Sequence, residues 1–149
     1  MRLTKNFTLA ELLASQTAVR RQITEQFAPS QEIIDNLKAL TEQLQKIRDL
    51  VGVIHVTSGY RCKRLNRIIG GAAKSQHIKG EAADIVFRGE GGNELLFETI
   101  KNSGIEFDQL IDEFDHSWIH LSFKRSGKNR KQVLRAVKNI DGKTIYINA

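Results

Sequence analysis

Apolar residues recur at three- and four-residue steps through the first third of the chain and in short β-branched runs after it, so helices are expected first and strands later. Thr8 followed by Glu11 has the form of a capping box ahead of a short helix through Leu9, Leu12 and Leu13. Thr17 to Ile23 reads as a connecting segment, and the single proline, Pro29, interrupts the chain. Ser30 then precedes Ile33, Ile34, Leu37, Leu40, Leu44 and Ile47, the stripe of one long amphipathic helix that Gly52 ends. Val53 to Thr57 is a strand candidate closed by Ser58-Gly59-Tyr60, and Arg64 to Ile69 allows a turn or two of helix. Ala83 to Phe87 is a second strand, Gly89 to Gly92 a loop, and Glu94 to Asn102 a helix stopped by Gly104. Gln109 to Phe114 and Trp118 to Phe123 read as a hairpin joined through Asp115, His116 and Ser117. A basic loop, Lys124 to Arg130, leads to two peripheral strand candidates, Val133 to Val137 and Thr144 to Ile147.

This order predicts an α+β fold, with a helical N-terminal part packed on a small, mostly antiparallel sheet. No repeat, low-complexity tract or linker divides residues 1–149, so one domain is expected. The 23 Lys and Arg outnumber the 17 Asp and Glu, a formal charge of +6 that suits an acidic polymer such as a bacterial wall as well as it suits simple solubility. One cysteine, Cys62, excludes a disulfide framework or a Cys-rich zinc finger and reads as a small buried hydrophobe. No apolar run approaches the roughly 18 residues of a membrane span. Met1 to Lys5 is not followed by an apolar segment, so no secretory signal is expected and synthesis is expected in the cytoplasm.

Four histidines carry the candidate chemistry. A lone histidine is more often structural than a ligand, but His77 and His120 have informative surroundings. His77 is separated from Asp84 by Gly80 and two alanines, which let the backbone bend closely, and Asp84 falls at the start of a strand. His120 lies within the second hairpin strand. A loop His, a strand Asp and a hairpin His form a donor set that binds zinc tetrahedrally with one position left for water. Strand parity adds a carboxylate: reversal around Asp115 and His116 sets Glu113 opposite Trp118 and Ile111 opposite His120. Glu113 then shares the face of His120, Asp112 faces away, and Asp115 in the turn competes for the same acid–base role. His116 reads as an exposed turn residue and His55 as a core or supporting residue.

Ser58-Gly-Tyr-Arg61, Asn66, Gly70-Gly71, Ser75-x-His77-x-x-Gly80-x-Ala82-x-Asp84 and Trp118-Ile-His120 together resemble the zinc D-Ala-D-Ala carboxypeptidase family of peptidoglycan peptidases, found in bacteria and in phage endolysins. The order and spacing match over nearly the whole chain, and the opening Phe7-Thr-Leu-x-Glu-Leu with Thr17-Ala-x-Arg-Arg is similar to a phage-associated branch. The resemblance implies zinc ligands at His77, Asp84 and His120. It implies that Arg61 binds a substrate carboxylate or polarises its carbonyl, and that Ser75 contacts substrate. Several relatives carry the catalytic acid three positions before the last histidine, where this chain has Ser117; the role then falls to Glu113 or Asp115, and parity favours Glu113.

The expected activity is hydrolysis of peptidoglycan stem or cross-bridge peptides by a zinc-activated water, of carboxypeptidase or endopeptidase type, by a monomer. Glu113 and Arg61 are the expected catalytic residues; Arg61, Ser75 and Trp118 the substrate-binding ones. Trp118 suits a cleft wall as well as it suits the core. The alternative is a non-catalytic, metal-containing wall-binding module. A nucleic-acid-binding domain is disfavoured because no groove-reading motif is present and aromatic residues are only 7%, and no membrane partner is expected.

Overall fold

The computed structural model describes residues 1–149. Helix α1 (Leu9–Leu13) begins at the expected capping box, with the Thr8 side chain accepting from Glu11 N and the Glu11 carboxylate accepting from Thr8 N. The segment after it is not merely a connection: Ser15 caps a short helix α2 (Gln16–Arg20), and this places Ala18 and then Ile23 in a small cluster with Cys62 and Leu65. Helix α3 (Gln31–Val51) is capped by Ser30 and ends at Gly52, whose φ of 106° is a conformation glycine tolerates. Strand β1 (Ile54–Ser58), helix α4 (Lys63–Ile68), a 3-10 turn over Gln76–Lys79 and strand β2 (Ala82–Phe87) follow. Helix α5 (Gly92–Asn102) precedes β3 (Gln109–Glu113), β4 (Trp118–Ser122), β5 (Gln132–Lys138) and β6 (Thr144–Asn148). No helix is long and apolar enough to cross a membrane.

The six strands form one sheet in the order β1-β2-β4-β3-β5-β6. Four of the five pairings are antiparallel, as expected, but the sheet is mixed because β5 pairs parallel to β3. The cause is the basic loop after β4. It carries the chain over the end of β3, so β5 runs against β4 and therefore alongside β3. Asp108, fully buried, holds this crossing: its carboxylate accepts from Arg130 N and Nε, both at 3.0 Å, and from Arg130 Nη2 at 2.7 Å.

Strand alternation divides the sheet into two unlike faces. Ala83, Ile85, Leu110, Ile119 and Leu121, all fully buried, face the stripes of the helices: Leu12 of α1, Leu37, Leu40, Leu44 and Ile47 of α3, and Leu96, Phe97 and Ile100 of α5. Each such Leu or Ile contributes roughly 1.5–3 kcal/mol through burial. The opposite face bears Asp84, His120 and Glu113, and it stays open to solvent as a cleft.

Candidate metal centre and cleft

The metal candidates come from three elements. Asp84 and His120 are partners across β2 and β4, so their side chains emerge side by side on the open face. His77 comes from the 3-10 turn above them. That turn is closed by Gly80 in the left-handed conformation (φ 70°), where a Cβ would press within 3.0 Å of the Ile33 carbonyl on α3. The His77 ring, 3% exposed as a residue, is oriented by a 2.7 Å hydrogen bond to the carbonyl of Gly59. A carbonyl oxygen only accepts, so Nδ1 donates to it and Nε2 is the ring nitrogen turned toward Asp84. Only glycine fits at 59, since a Cβ there would lie 2.4 Å from the Leu12 carbonyl oxygen.

Asp84 Oδ1 lies 3.0 Å from His120 Nδ1 and 3.5 Å from His77 Nε2, and the three donor atoms are all within 4.8 Å of one another. Donors about 2.0–2.1 Å from a tetrahedral ion stand roughly 3.3–3.4 Å apart, so these spacings suit zinc, as does a set of two imidazoles and one carboxylate. Burial alone raises the Asp84 carboxyl, but hydrogen bonds to His120 and His77 and their charges outweigh it and hold the group well below the usual carboxylate range. The carboxylate is therefore ready to bind a cation at any physiological pH.

Glu113 pairs with Trp118 and Ile111 with His120, the register that parity predicts. Glu113 is thus diagonal to His120 on the same face, a Cα spacing of about 7–8 Å that leaves room for one water. It is 8% exposed, and burial pushes its carboxyl from 4.5 up to about 6; the nearby charge of His120 opposes the rise, while those of Asp84 and Asp112 add to it. Asp115 is exposed on the turn and does not line the cleft. Ser117 is also exposed and donates to the Phe114 carbonyl.

The turn between β3 and β4 is unusual. Phe114, Asp115 and His116 all have positive φ (49°, 55° and 63°), closed by Ser117 N donating to the Glu113 carbonyl at 2.9 Å. Asp112, buried on the helix side, stabilises it: its carboxylate accepts from His116 N at 2.8 Å. The other carboxylate oxygen lies 2.7 Å from His116 Nδ1 but off the N–H direction, a close polar contact rather than an aligned hydrogen bond. Asn93 adds a brace by accepting from Phe87 N and donating to the His116 carbonyl, both at 2.8 Å. His116 is therefore a partly covered turn residue directed at Asp112.

Arg61 and Ser75 meet beside the metal candidates, with Arg61 Nη2 donating to Ser75 Oγ at 3.2 Å. Arg61 Nε is buried without a partner, so the fork retains hydrogen-bonding capacity. The backbone of this segment is set by Gln26, fully buried, whose amide donates to the carbonyls of Leu13 and Tyr60 and accepts from Cys62 N. Trp118 is half-buried, lines the cleft and packs edge-on against Phe114 with ring centroids 5.6 Å apart. His55, by contrast, is exposed on the edge strand β1, away from the cleft, which corrects the expectation of a core or supporting role.

The cleft holds about 810 Å³ and brings together all the candidate site residues, His77, Asp84, His120, Glu113, Arg61, Ser75 and Trp118. It also includes Gln132, Leu134 and Tyr146, which the sequence pattern places only on peripheral strands. Their alternation was readable, but their neighbour was not, because nothing local announces that β5 joins β3. Gln26 and Asn93 carried no sequence signal at all, being polar residues whose importance lies in distant partners.

A comparison with curated proteins finds no match. A comparison with protein families finds Peptidase M15 over residues 5–122, a span running from before α1 to the last residue of β4 and enclosing both imidazoles, the aspartate and the glutamate. With the donor triangle and the acid beside it held by that matched span, the chain belongs to the M15 peptidases, the zinc D-Ala-D-Ala carboxypeptidase-like family.

Proposed function

We propose that the protein is a zinc-dependent peptidase that hydrolyses peptide bonds of bacterial peptidoglycan, either as a D,D-carboxypeptidase or as an endopeptidase of stem and cross-bridge peptides. The observation that carries this reading is the triangle of His77 Nε2, Asp84 Oδ1 and His120 Nδ1 facing a cleft that also holds a desolvated glutamate. In this reading His77, Asp84 and His120 hold the ion. Zinc, when bound, supplies Lewis acidity that acidifies water and polarises the scissile carbonyl.

The chain's own residues do the rest. Glu113 accepts the proton of the attacking water at its carboxylate and delivers it to the nitrogen of the leaving amine, a task suited to a group poised near neutrality. Arg61, supported by Ser75, presents a planar fork to the substrate's carboxylate or to the oxyanion that develops at the carbonyl. Trp118 walls the cleft beside Glu113 and limits water around the proton transfer. The net charge of +6 favours approach to an acidic wall polymer. The acting species is a monomer at the cell wall.

The test is digestion of purified peptidoglycan by the zinc-loaded protein, with mass analysis of the new amine termini to name the bond. His77→Ala is expected to abolish both digestion and bound zinc. Zinc retention of about one ion per chain with no new termini would instead identify a wall-binding module.

A further inference from the structure

The family match ends at Ser122, yet the sheet continues for two strands beyond it, and both contribute to the cleft. Register shows how. The row of Asp84 and His120 continues through Ile111 of β3 to Leu134 of β5. The adjacent row runs Trp118, Glu113, Ala136 and Tyr146, and the row on the other side runs Ser122, Gln109 and Gln132. Beyond the metal candidates the cleft therefore has an apolar floor of Ile111 and Leu134, a wall of amides and a wall of Glu113 and Tyr146.

From these rows we infer that β5 and β6 build an extended peptide subsite on the side of the metal centre away from Arg61, with Gln132 and Tyr146 as its specificity-determining residues. The inference rests on the peptidase reading and deepens it. From β4 to β6 is three inter-strand steps of about 4.8 Å, roughly 14 Å, the length of about four extended residues. Ile111 and Leu134 fill the floor with their own side chains, so residues lying over them carry small apolar side chains. Gln109 Nε2 donates to Gln132 Oε1 at 2.8 Å, leaving the Gln109 carbonyl and the Gln132 amide free for substrate amides. Past that pair stand Lys124 and Arg130, and Asp108 neutralises only one of the two, so a carboxylate is favoured at that edge. Ala136, fully buried, separates Tyr146 from Glu113 with no bulk, and the Tyr146 hydroxyl is raised by burial and then by the charge of Glu113. With Arg61 taking the C-terminal carboxylate, the subsite receives the N-terminal side of the scissile bond.

The test uses the zinc-loaded protein and synthetic stem peptides that share one scissile bond and are lengthened by one to five residues on the N-terminal side. Wild-type kcat/KM is expected to rise roughly tenfold or more with length and to level off near four residues. Tyr146→Ala and Gln132→Ala should each remove most of that rise, whereas Ile147→Ala, on the opposite face of the same strand, should keep it. Cleavage with no length dependence, or with a length dependence that both variants retain, overturns the subsite and leaves the peptidase reading intact. If no peptide is cut, the peptidase reading fails, and calorimetric binding of the same peptides decides the subsite. Affinity that climbs with length and is lost in Tyr146→Ala supports it; anything else overturns it.

Discussion

Replacing Glu113, the proposed proton acceptor, by Gln is expected to shift catalysis and stability in opposite directions. The carboxyl is 8% exposed and its pKa rises from 4.5 to about 6, so the folded protein prefers the neutral form and ionisation at pH 7 works against folding. The rise corresponds to about 2 kcal/mol at full value, and to about 1–2 kcal/mol once the openness of the cleft to water is allowed for. The sign is fixed by linkage: a raised folded pKa leaves no penalty below about pH 4.5, and the penalty is complete above about pH 6. Glu113→Gln keeps the size and removes the charge, so the metal-free variant should be more stable at pH 7, by roughly 2–8 °C in Tm for a chain of this length. The advantage should vanish by pH 4.5, and it should be smaller in the zinc-loaded protein, where the dication stabilises the carboxylate. Hydrolysis by the zinc-loaded variant should fall by roughly 10²–10⁴-fold with zinc retained, while Asp115→Asn, altering an exposed turn residue, should stay near wild type. Thermal unfolding at the two pH values and peptide hydrolysis are the assays. A stability difference that does not change with pH, or hydrolysis that survives in Glu113→Gln, would refute the reasoning.

Arg61→Lys removes the planar fork while keeping the charge; KM for a peptide with a free C-terminal carboxylate should rise about tenfold, read by steady-state kinetics. Gln26→Leu leaves the Leu13 and Tyr60 carbonyls and Cys62 N without their partner, so urea unfolding should show a loss of at least about 2 kcal/mol, with weaker substrate binding through the displaced Arg61 segment. Burial raises the Asp108 carboxyl, but hydrogen bonds and charge from Arg130, with a further contribution from Lys124, outweigh it and hold the group at about 2. Asp108→Asn should therefore cost about 2 kcal/mol at neutral pH, and wild type and variant should converge as pH falls from about 4 to 2, the interval in which the unfolded chain takes up a proton at Asp108 before the native one does. Chelation of zinc should lower Tm, and adding zinc back should restore it in wild type but not in His77→Ala, because only an ion bound to the folded state contributes this stability.

What the sequence makes legible is whatever is written in local period or in a run of specific residue types. The stripe from Ile33 to Ile47 announces α3 because packing on a sheet needs an apolar residue on each turn, and Ser30 and Gly52 mark its ends. The pairing of Glu113 with Trp118 follows from alternation and a plausible turn, since a strand offers only two faces. Helix α2 escapes because five residues give too little periodicity, and only the Ser15 cap distinguishes it from a connection. The parallel pairing of β5 with β3 escapes for another reason: it depends on the path of the loop held by Asp108 and Arg130, a contact spanning 22 positions. The far half of the cleft, with Gln132, Leu134 and Tyr146, was hidden with it.

The helix-covered face of the sheet is what holds the reactive groups in place on the other. A slip of one residue between β3 and β4 would turn one of the two strands over, carrying either His120 into the helix layer with exposure of Ile119 and Leu121, or Glu113 with exposure of Leu110, all three apolar residues being fully buried. At about 1.5–3 kcal/mol for each exposed side chain, with several kcal/mol more for burying an imidazole or a carboxylate among the helices, the slip costs more than the 1–2 kcal/mol per residue of the left-handed backbone at Phe114, Asp115 and His116. The strained turn persists because it is the connection this register requires, and Asp112 and Asn93 satisfy its backbone groups. Geometry at the candidate metal centre is therefore enforced by apolar burial behind the sheet more than by contacts among His77, Asp84 and His120 themselves. Asp84 and His120 need only emerge from neighbouring strands whose register the core has already decided, leaving His77, on its turn above α3, as the one donor positioned by glycine and hydrogen bonding.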